Sequence, residues 1–526
     1  MAHSVEPGPA GPVPFQRATN TNKETISMVE NVGGSGCSGE DKDKEAGPGV
    51  GVGVTFGGDD AEPIDKAVER RLKRKLDFVI LPALSIVYFL SAMARSDLGN
   101  AKVAGLEQSI PLTARQYSNI SSSFLAGYVV FQLPGTVLIK KIGPPFQFAG
   151  AMLLWGAVTT ALVACTSYSD LMGLRFLVGA AEAYVQGSTL YLSFWYTYPE
   201  LVTRGAIIYS TSALAGAFNG LIAYGIQENL AHKAPWKPWQ WLFIIEGIIP
   251  MVYSLIVLAV LPATPDRGQW LFTREEIEVA RKRSRATHNH ADQRLRVNLL
   301  WKPLIDPKFW LNAVMYSCAH FASGSLPNFL PAIIRGFGYT SIKAQLMSVV
   351  VYACSFVSIL FWAFLGERYN RRGYPIAACS LVGAIGFLLL ITLTENKVRM
   401  FAACLMVAGV FPAIPLILSW TTANIAGYTK RSAAIAMVNI VAQCTGIGGN
   451  QAYSDPPIYR KGNASAMALC FLLGVCALAQ IWYAKYLNKK KAALKASLSP
   501  EELQRLRDGQ VFDIVGDEHI DFVYLL

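Results

Sequence analysis

Long apolar runs separated by short polar stretches repeat along this chain of 526 residues. A run of about twenty apolar residues can cross a hydrocarbon core of roughly 30 Å as a helix. Twelve such runs begin near Asp77, Tyr117, Phe146, Leu171, Gly205, Trp241, Phe309, Ala344, Tyr374, Met400, Ser432 and Ala464. One polar stretch in the middle divides them into two groups of six. The pattern predicts an all-α polytopic membrane protein with twelve transmembrane helices in two six-helix halves.

The composition also indicates a membrane protein. Hydrophobic residues make up 52% of the chain, charged residues only 16%, and the mean hydropathy is +0.32. A net charge of +11 would suggest a nucleic-acid partner for a soluble protein. Here Lys and Arg lie in the flanks of the apolar runs, for example in "ERRLKRK" before the first and "YLNKKKAALK" after the last. We therefore expect a lipid bilayer, and no nucleic acid, as a partner.

The sequence lacks the motifs of several common kinds of functional site. Nine cysteines are scattered singly without a Cys-x-x-Cys pair, so neither a disulfide framework nor a zinc site is expected. The glycine-rich stretch near the N-terminus lacks the Gly-Lys-Ser/Thr of a phosphate-binding loop. No constellation of paired carboxylates or of a nucleophile with its base stands out. We predict that the protein is not an enzyme and that it uses no cofactor and no metal.

Composition and charge also predict how the chain divides into tails, halves and a linker. The N-terminal stretch is rich in Gly, Pro, Ser and charge, and cannot bury enough apolar area to offset the entropy of ordering. In the central polar stretch, "TREEIEVARKRSR" has an acidic first turn and a basic last turn, which favours a short surface helix. The predicted parts are a disordered cytoplasmic tail at 1–64, an N-terminal half at 65–263, a cytoplasmic linker at 264–306, a C-terminal half at 307–487 and a cytoplasmic tail at 488–526.

The distribution of Lys and Arg predicts the orientation. Basic residues are more frequent on the side that holds the linker and both termini, and the positive-inside rule makes that side cytoplasmic. The two Asn-x-Ser/Thr sequons, at Asn119 and Asn463, then fall at outer helix ends. Asn119 lies too near the membrane to be modified readily, so Asn463 is the predicted glycosylation site. We expect a monomer.

Several stretches resemble the fungal anion:cation symporter branch of the major facilitator superfamily, the group of allantoate, nicotinate and other organic-anion permeases. They include "SDLGNAKVAGLEQ" after the first span, "LRFLVGAAEA" in the fourth, "WQWLFIIEG" entering the sixth, "GVFPAIPLILSWTTANIAGYTKRSAA" and the terminal "GDEHIDFVYLL". The resemblance covers about residues 65 to 526. It implies two halves that rock around a binding site near the middle of the membrane. It says little about which substrate is bound.

The chain departs from this branch at the end of the first apolar run. The branch usually carries the pattern "DRxN", whereas this chain has Ala94, Arg95, Ser96 and Asp97. The carboxylate has in effect moved by three positions. Asp97 keeps Arg95 as its partner if the helix continues, and loses it if the helix has ended.

A second departure lies in the loop between the second and third spans. That loop, "IKKIGPP", lacks the acid of the superfamily pattern, whereas "LGERYNRRG" in the second half retains its charges. The resemblance implies that the retained residues form a conformational latch between helices and do not contact the substrate. They are Glu367, Arg368, Arg371 and Arg372.

Charged residues within the spans are the first candidates for a transport site. Arg95 and Asp97 are predicted at the outer end of the first span, either as an interfacial pair or as part of the outer vestibule. Arg175 and Glu182 lie deeper, on one face of the fourth span, because seven residues make about two turns. A charge at that depth needs a cavity or a partner. The alternatives are a structural ion-pair network, or an anion site at Arg175 with proton exchange at Glu182; Gln186 extends this face.

His320 is the only histidine predicted within the membrane. Its charge can change near neutral pH, so it is a candidate proton carrier. A neutral, hydrogen-bonded core histidine is the alternative. Gly324 and Pro327 lie nearby, and we expect them to break this seventh helix near its midpoint.

Neutral polar and aromatic residues complete the candidate pathway. Intramembrane amides commonly hydrogen-bond between helices, so a structural role is the alternative to substrate contact for each of them. The candidates are Asn219, Trp420, Asn424, Asn439 and Gln443. Trp420 and Asn424, four residues apart on one helix face, form the best pair. Glu246 lies in a motif shared across the branch, and we expect it to be structural.

These features lead to one functional hypothesis and two alternatives. The hypothesis is proton-coupled uptake of a small organic anion, a carboxylate, by alternating access across a fungal plasma membrane. The first alternative is efflux of a secondary metabolite from a biosynthetic pathway. The Gly-Pro step and paired glycines of antiporters are absent from "ALAGAFNGLIA" in the fifth span, which favours import. The second is a non-transporting nutrient sensor on the same fold. Such a sensor is expected to have a long cytoplasmic tail, whereas the tail of this chain is short.

Overall fold

The computed structural model describes residues 65–196, 198–230, 236–264, 271–288, 301–369, 371–425, 428–456, 459–509 and 516–526. Every regular element in these ranges is a helix. Twelve of the described helices form two halves, six before the linker and six after it, and the predicted all-helical fold is confirmed. The tail predicted to be disordered, and part of the linker, lie outside the described residues.

The helices of each half follow the apolar runs. In the N-terminal half they are α1 (Lys66–Val103), α2 (Ala114–Ile142), α3 (Pro144–Ala161), α4 (Tyr168–Glu182), α5 (Tyr198–Asn229) and α6 (Pro238–Val260). In the C-terminal half they are α7 (Pro307–Arg335), α8 (Ser341–Arg368), α9 (Gly373–Thr392), α10 (Asn396–Asn424), α11 (Tyr428–Ala452) and α12 (Arg460–Ser497). Polar N-caps such as Thr113 and Ser167 start helices before the first apolar side chain.

The helices differ in how apolar they are. On length and composition, eight of the described helices can cross a membrane, namely α1, α3, α5, α6, α8, α9, α10 and α12. The other four, α2, α4, α7 and α11, are more polar or shorter. All four contribute side chains to a cavity between the halves, whereas the lining residues come from none of α3, α6, α9 and α12. All four helices with a weaker hydropathy signal therefore line the cavity.

Glycines allow neighbouring helices to approach closely. A methyl group placed at Gly409 of α10 would lie 2.1 Å from the backbone nitrogen of Gly383 in α9. One placed at Gly179 of α4 would lie 2.0 Å from the carbonyl oxygen of Phe124 in α2. Small residues at crossings let backbones pack against each other, as is common between membrane helices. These contacts hold each half together.

A helix of the linker, Arg274–His288, packs against the N-terminal half where α1 begins. The ammonium group of Lys75 lies 2.7 Å from Oε2 of Glu276, and Nη2 of Arg283 lies 2.5 Å from Oε2 of Glu200. The predicted surface helix is therefore present and is anchored by ion pairs. We call this end of the bundle the linker end, and the opposite end the far end.

Residues 516–526 fold back onto the C-terminal half at the linker end. The fully buried carboxylate of Asp517 pairs with the ammonium groups of Lys308, in α7, and Lys430, in α11. The carbonyl of Leu525 accepts hydrogen bonds from two side chains of α10. In α12, Lys491 donates to the carbonyls of three residues of the segment. We call residues 516–526 the C-terminal clasp, because they join α7, α10, α11 and α12.

The two halves contact each other at the far end. The hydroxyl of Tyr117 donates to the carbonyl of Asn328 at 2.8 Å, and the amide of Gln345 donates to the carbonyl of Asn100 at 3.1 Å. The buried ammonium group of Lys102 lies 3.9 Å from the centre of the Tyr117 ring. These contacts join α1 and α2 to α7 and α8. The cavity is therefore closed at the far end.

Gly99 lies at one of the tight contacts of this closure. A methyl group there would lie 2.5 Å from the carbonyl oxygen of Pro327 and 2.8 Å from that of Asn328. Because these are backbone atoms, which cannot move aside as the end of a side chain can, Gly99→Ala is expected to disfavour closure. The measurement is the labelling rate of a cysteine placed at Ser212, a cavity residue, in a cysteine-free background.

The thiol reagent in this experiment is membrane-impermeant and is applied from the far side. We expect faster labelling in the Gly99→Ala variant than in the parent. Gly150→Ala is the control, because nothing lies within 4 Å of the added methyl group. Equal labelling rates in both variants would contradict the assignment of Gly99 to the closure.

Candidate functional site

The cavity between the halves has a volume of about 100 Å³. Its lining is contributed by α1, α2, α4 and α5 from one half and by α7, α8, α10 and α11 from the other. The polar lining residues are Tyr88, Arg95, Ser96, Ser121, Arg175, Tyr209, Ser212, Tyr316, His320, Ser323, Asn328, Tyr352, Asn439 and Gln443. Two arginines on the N-terminal side make that wall basic.

Arg95 and Glu182 form an ion pair at the cavity wall. Nη2 and Nε of Arg95 lie 2.5 Å and 2.6 Å from Oε1 of Glu182. The hydroxyl of Ser91 donates to the same oxygen at 2.6 Å, and the guanidinium lies 5.0 Å from the centre of the Tyr128 ring. The Arg95 side chain is 28% exposed, whereas that of Glu182 is fully buried. The charge of Arg95 is therefore compensated within the protein.

The structure corrects the position predicted for Arg95 and Asp97. Helix α1 continues to Val103, about two turns beyond Arg95, so the two residues do not lie at the helix end. They do not pair either, because residues two positions apart on a helix point about 200° away from each other. Arg95 faces the cavity and Glu182, and Asp97 is directed towards α5 and α6.

Arg175 also lines the cavity, but its charge is less fully satisfied. It is 97% buried, since only 3% of its surface is exposed, and Nη1 donates to the carbonyl of Ala94 at 3.1 Å. Nε and Nη2 have no hydrogen-bond partner. The ring centre of Phe243 lies 5.7 Å from the guanidinium carbon. A guanidinium presents its donors in a planar fork that matches a carboxylate, so these free donors can bind an anion.

Asp97, Asn219 and Glu246 form a polar cluster behind the cavity wall, and all three are buried. Nδ2 of Asn219 lies 2.8 Å from Oδ1 of Asp97 and 3.4 Å from Oε2 of Glu246. Oδ1 of Asn219 accepts a hydrogen bond from Asn100 at 2.6 Å. The second oxygens of both carboxyls, Oδ2 of Asp97 and Oε1 of Glu246, have no partner. Two acidic groups therefore share one amide in the interior of the N-terminal half.

The C-terminal side of the cavity is mostly neutral. His320 lies near the midpoint of α7, with its ring centre 5.3 Å from that of Tyr316, and its Nδ1 has no hydrogen-bond partner. Asn439 and Gln443, one turn apart on α11, line the same wall. Asn439 donates to a backbone carbonyl of its own helix, whereas Oε1 of Gln443 is unpartnered. These residues offer polar contacts without a fixed charge.

The break predicted in α7 is absent. The helix runs from Pro307 to Arg335 with Pro327 inside it. A membrane helix tolerates an internal proline when neighbouring groups satisfy the freed backbone. A methyl group at Gly324 would be in ordinary van der Waals contact, 3.4 Å from the Cα of Gly446 in α11.

Trp420 and Asn424 are not at the cavity, which contradicts their prediction as the best substrate-contacting pair. Both are buried, and Nε1 of Trp420 and Nδ2 of Asn424 donate to the carbonyl of Leu525 at 2.9 Å and 3.0 Å. Oδ1 of Asn424 also accepts a hydrogen bond from the Leu525 amide at 2.7 Å. The shared helix face was predicted correctly, but the C-terminal clasp occupies it.

The residues predicted to form a latch lie at the linker end of the C-terminal half. Glu367 and Arg368 are exposed at the end of α8, and Arg371 is exposed in the following turn. Arg372 donates from its guanidinium to the carbonyl of Ser419 in α10. Its backbone amide donates to the carbonyl of the last residue of the clasp at 2.7 Å. Their role as a latch stays a prediction.

Two further candidates have different outcomes. Gln186 lies in the short 3₁₀ segment after α4, and its side chain is outside the described part of the structure. Asn463, the predicted glycosylation site, has a side chain that is 1% exposed, and its Oδ1 accepts a hydrogen bond from Tyr453. A glycan needs an accessible amide nitrogen, so the glycosylation prediction conflicts with this packing.

Sequence reasoning missed two parts of the site. Glu246 was assigned to structure from its shared motif, although a carboxyl at membrane depth needs a partner just as Glu182 does. Tyr88, Tyr209 and Tyr316 line the cavity, and the first two rings lie 6.2 Å apart. A tyrosine inside an apolar run gives no pattern that separates cavity lining from core.

Two six-helix halves around a cavity with buried charges form an architecture common among secondary transporters. The sequence model of the Major Facilitator Superfamily matches residues 84–450, and the chain belongs to that superfamily. It is therefore a multi-pass membrane transporter and not an enzyme.

Three similar proteins illustrate the relationship. An uncharacterized transporter of Schizosaccharomyces pombe is 31% identical over 479 residues, which cover 90% of this chain and 96% of that protein. The high-affinity nicotinic acid transporter of Saccharomyces cerevisiae is 29% identical over 431 residues, which cover 81% and 80%. A bacterial homolog of the human lysosomal transporter Spinster, in an inward-facing and occupied conformation, has a TM-score of 0.59 at 14% identity, with 80% and 98% covered. This last likeness concerns the fold.

Proposed function

We propose that this transporter takes up a small organic carboxylate together with a proton. The observation that carries the proposal is Arg175, a buried guanidinium on the cavity wall with two unpartnered N–H groups. A buried cation that lacks hydrogen bonds is costly, and an anionic substrate would supply them. Arg95 is less suited to this role, because Glu182 already compensates its charge.

The neutral wall of the C-terminal half complements this anion site. His320, Asn439 and Gln443 offer hydrogen bonds to the part of the substrate that lies away from the carboxylate. The tyrosines provide apolar surface with hydroxyl groups at the edge. A carboxylate on a small ring or chain fits such a lining. The similarity to a nicotinic acid transporter supports this class of substrate.

Alternating access supplies the mechanism. With the linker end in the cytoplasm, as the Lys and Arg distribution predicts, the closed far end faces the outside. Opening of the contacts around Lys102 and Tyr117 would expose Arg175 to the external solution. Closing them again would carry the bound anion inward. A proton that enters with the anion offsets its charge, and the sequence alone offers Glu182 and His320 as candidates to exchange it.

The test is uptake of labelled carboxylates, including nicotinate, allantoate and pantothenate, into permease-deficient yeast that expresses this chain. Uptake is measured at an external pH of about 5 and about 7, with and without a protonophore. We expect uptake of at least one member to be faster at the lower pH and to be abolished by the protonophore. If no member is taken up while the protein is at the cell surface, the proposal is wrong and efflux becomes the better hypothesis.

A further inference from the structure

The cluster behind the cavity brings two acidic groups together. Asp97 of α1 and Glu246 of α6 are both buried, and both accept a hydrogen bond from the same nitrogen, Nδ2 of Asn219, at 2.8 Å and 3.4 Å. Their second oxygens, Oδ2 of Asp97 and Oε1 of Glu246, have no hydrogen-bond partner. Two ionised carboxylates this close repel each other, and burial makes their charge costly, so this geometry favours a proton on one of them.

We infer that Asp97 and Glu246 form a proton-holding carboxyl pair and that this pair is the site of the proton exchanged during transport. The inference rests on the proposed function and assigns its proton to residues outside the cavity lining. The pair is buried, with 1% of Asp97 and 5% of Glu246 exposed. One residue separates it from the cavity, because Ser96 lines the cavity and its hydroxyl accepts a hydrogen bond from Asn219 at 2.7 Å.

The charged groups around the pair come from two helices, α4 and α1. α4 contributes Arg175, which interacts electrostatically with both carboxyls, and Glu182, which interacts with Asp97. α1 contributes Arg95, which is held by Glu182. The neighbouring helix α5 presents the neutral amide of Asn219 to the pair. Other titratable groups near these charges are Tyr88 of α1, Tyr128 of α2 and His320 of α7, near Arg95, and Tyr117 of α2, near Arg175.

This arrangement gives a reason why anion transport is coupled to proton transport. Three carboxyls and two guanidiniums are balanced when the pair holds a single proton. A substrate carboxylate at Arg175 adds one negative charge, and a buried site disfavours uncompensated charge strongly. A second proton on the pair restores the charge balance. Arg175 then no longer compensates the negative charge of Asp97 and Glu246 and can compensate that of the substrate. Anion and proton are therefore expected to enter together and to leave together.

The departure of this chain from its branch agrees with the inference. The branch usually has an Asp before the arginine and an Asn two positions after it, whereas here position 94 is Ala and position 97 is Asp. The acid at 97 lies next to Glu246 instead of next to the cavity. Asp97→Asn gives that position the residue typical of the branch, so the variant is expected to fold. Its amide would donate to Glu246 where the proton now lies.

The first experiment needs no substrate. Infrared spectra of the purified full-length protein in H₂O and in D₂O report the C=O stretch of protonated carboxyl groups. We expect a band from a buried carboxylic acid in the wild type that is lost in both Asp97→Asn and Glu246→Gln. Asp170→Asn is the matched control, because it changes an exposed carboxyl at the start of α4. A band that persists in both variants would overturn the inference.

The second experiment uses the carboxylate that the uptake panel identifies. In Asp97→Asn and Glu246→Gln, the ratio of uptake at low and neutral external pH is expected to fall to about one, because the titrating group is gone. Counterflow, the exchange of labelled for unlabelled substrate, needs no proton gradient and should persist. A purely structural role would lower both activities together. The comparison variants are Glu182→Gln and His320→Gln.

The outcomes separate this inference from the proposed function. One outcome is that uptake loses its acid dependence in Glu182→Gln and His320→Gln but keeps it in Asp97→Asn and Glu246→Gln. This outcome would overturn the inference about the carboxyl pair and leave the proposed symport of carboxylate and proton intact. Absence of any acid-dependent uptake in the wild type would refute the proposed function. The infrared band would still decide whether the pair holds a proton.

Discussion

Replacement of Arg175 by Ala is expected to abolish carboxylate uptake, with kcat/KM lower by on the order of 100-fold or more. Removal of one partner from a buried charge pair costs about 3 to 5 kcal/mol, and about 1.4 kcal/mol corresponds to a factor of ten. In this structure Arg175 is 3% exposed, and no carboxylate among the described residues forms an ion pair with it, whereas Arg95 is paired with Glu182. The measurement is initial uptake rate against substrate concentration, normalised to the amount of protein at the surface.

Two further variants make this test specific. Arg175→Lys keeps the positive charge but loses the planar fork, so we expect a weaker affinity with partial uptake. Arg115→Ala removes an exposed arginine from the start of α2 and should leave uptake close to that of the wild type. Normal kinetics in Arg175→Ala would refute the anion site. Thermal stability of each variant in detergent identifies any that fail to fold.

Asp517→Ala is expected to destabilise the protein by about 3 kcal/mol, because it leaves two buried ammonium groups without their main partner. The carboxylate of Asp517 contacts the ammonium groups of both Lys308 and Lys430. Asp306 remains within 3.3 Å and 3.5 Å of these two groups and limits the loss. The measurement is the melting temperature of the purified protein, followed by size-exclusion chromatography after heating. Glu518→Ala, which removes the exposed carboxylate next in sequence, is the matched control.

The same ion pairs give this contribution a pH dependence. Burial alone would raise the pKa of the Asp517 carboxyl, but the ammonium groups of Lys308 and Lys430 outweigh burial and hold that pKa below its usual value of 3.8. A carboxyl group whose pKa is lower in the folded than in the unfolded protein stabilises the fold at pH values above its unfolded-state pKa. This contribution is lost as the pH falls through its folded-state pKa. The difference in stability between wild type and Asp517→Ala should therefore be full at neutral pH and shrink below about pH 4. A difference that grows as the pH falls would contradict this origin.

Much of the fold could be predicted because lipid requires it. An apolar run of sufficient length in a bilayer must be a helix that satisfies its own backbone, so the succession of apolar runs predicted the twelve helices of the two halves. The charges of α4 were also informative, since Arg175 and Glu182 at membrane depth need a cavity or partners. Both lie at the cavity wall or directly behind it.

The partners of these charges could not be predicted, because pairing depends on rotation and on contacts between distant helices. Arg95 pairs with Glu182, which is 87 positions away, and not with Asp97 on its own helix. Trp420 and Asn424 share a face, as helical spacing requires, but the spacing does not say what covers that face. Glu246 was set aside because its motif is shared across the branch, although its surroundings and not its motif determine its chemistry.

The C-terminal clasp also affects how this protein is made. Lys308, Trp420, Asn424 and Lys430 obtain their buried partners from residues 516–526, which the ribosome synthesises after every membrane helix. Until those residues emerge, the linker end of the C-terminal half holds two lysines and two polar side chains without those contacts. Insertion of the helices and completion of this half are thus separate events in biosynthesis. A nascent chain halted before residue 516 should remain a better substrate for membrane quality control than the finished protein.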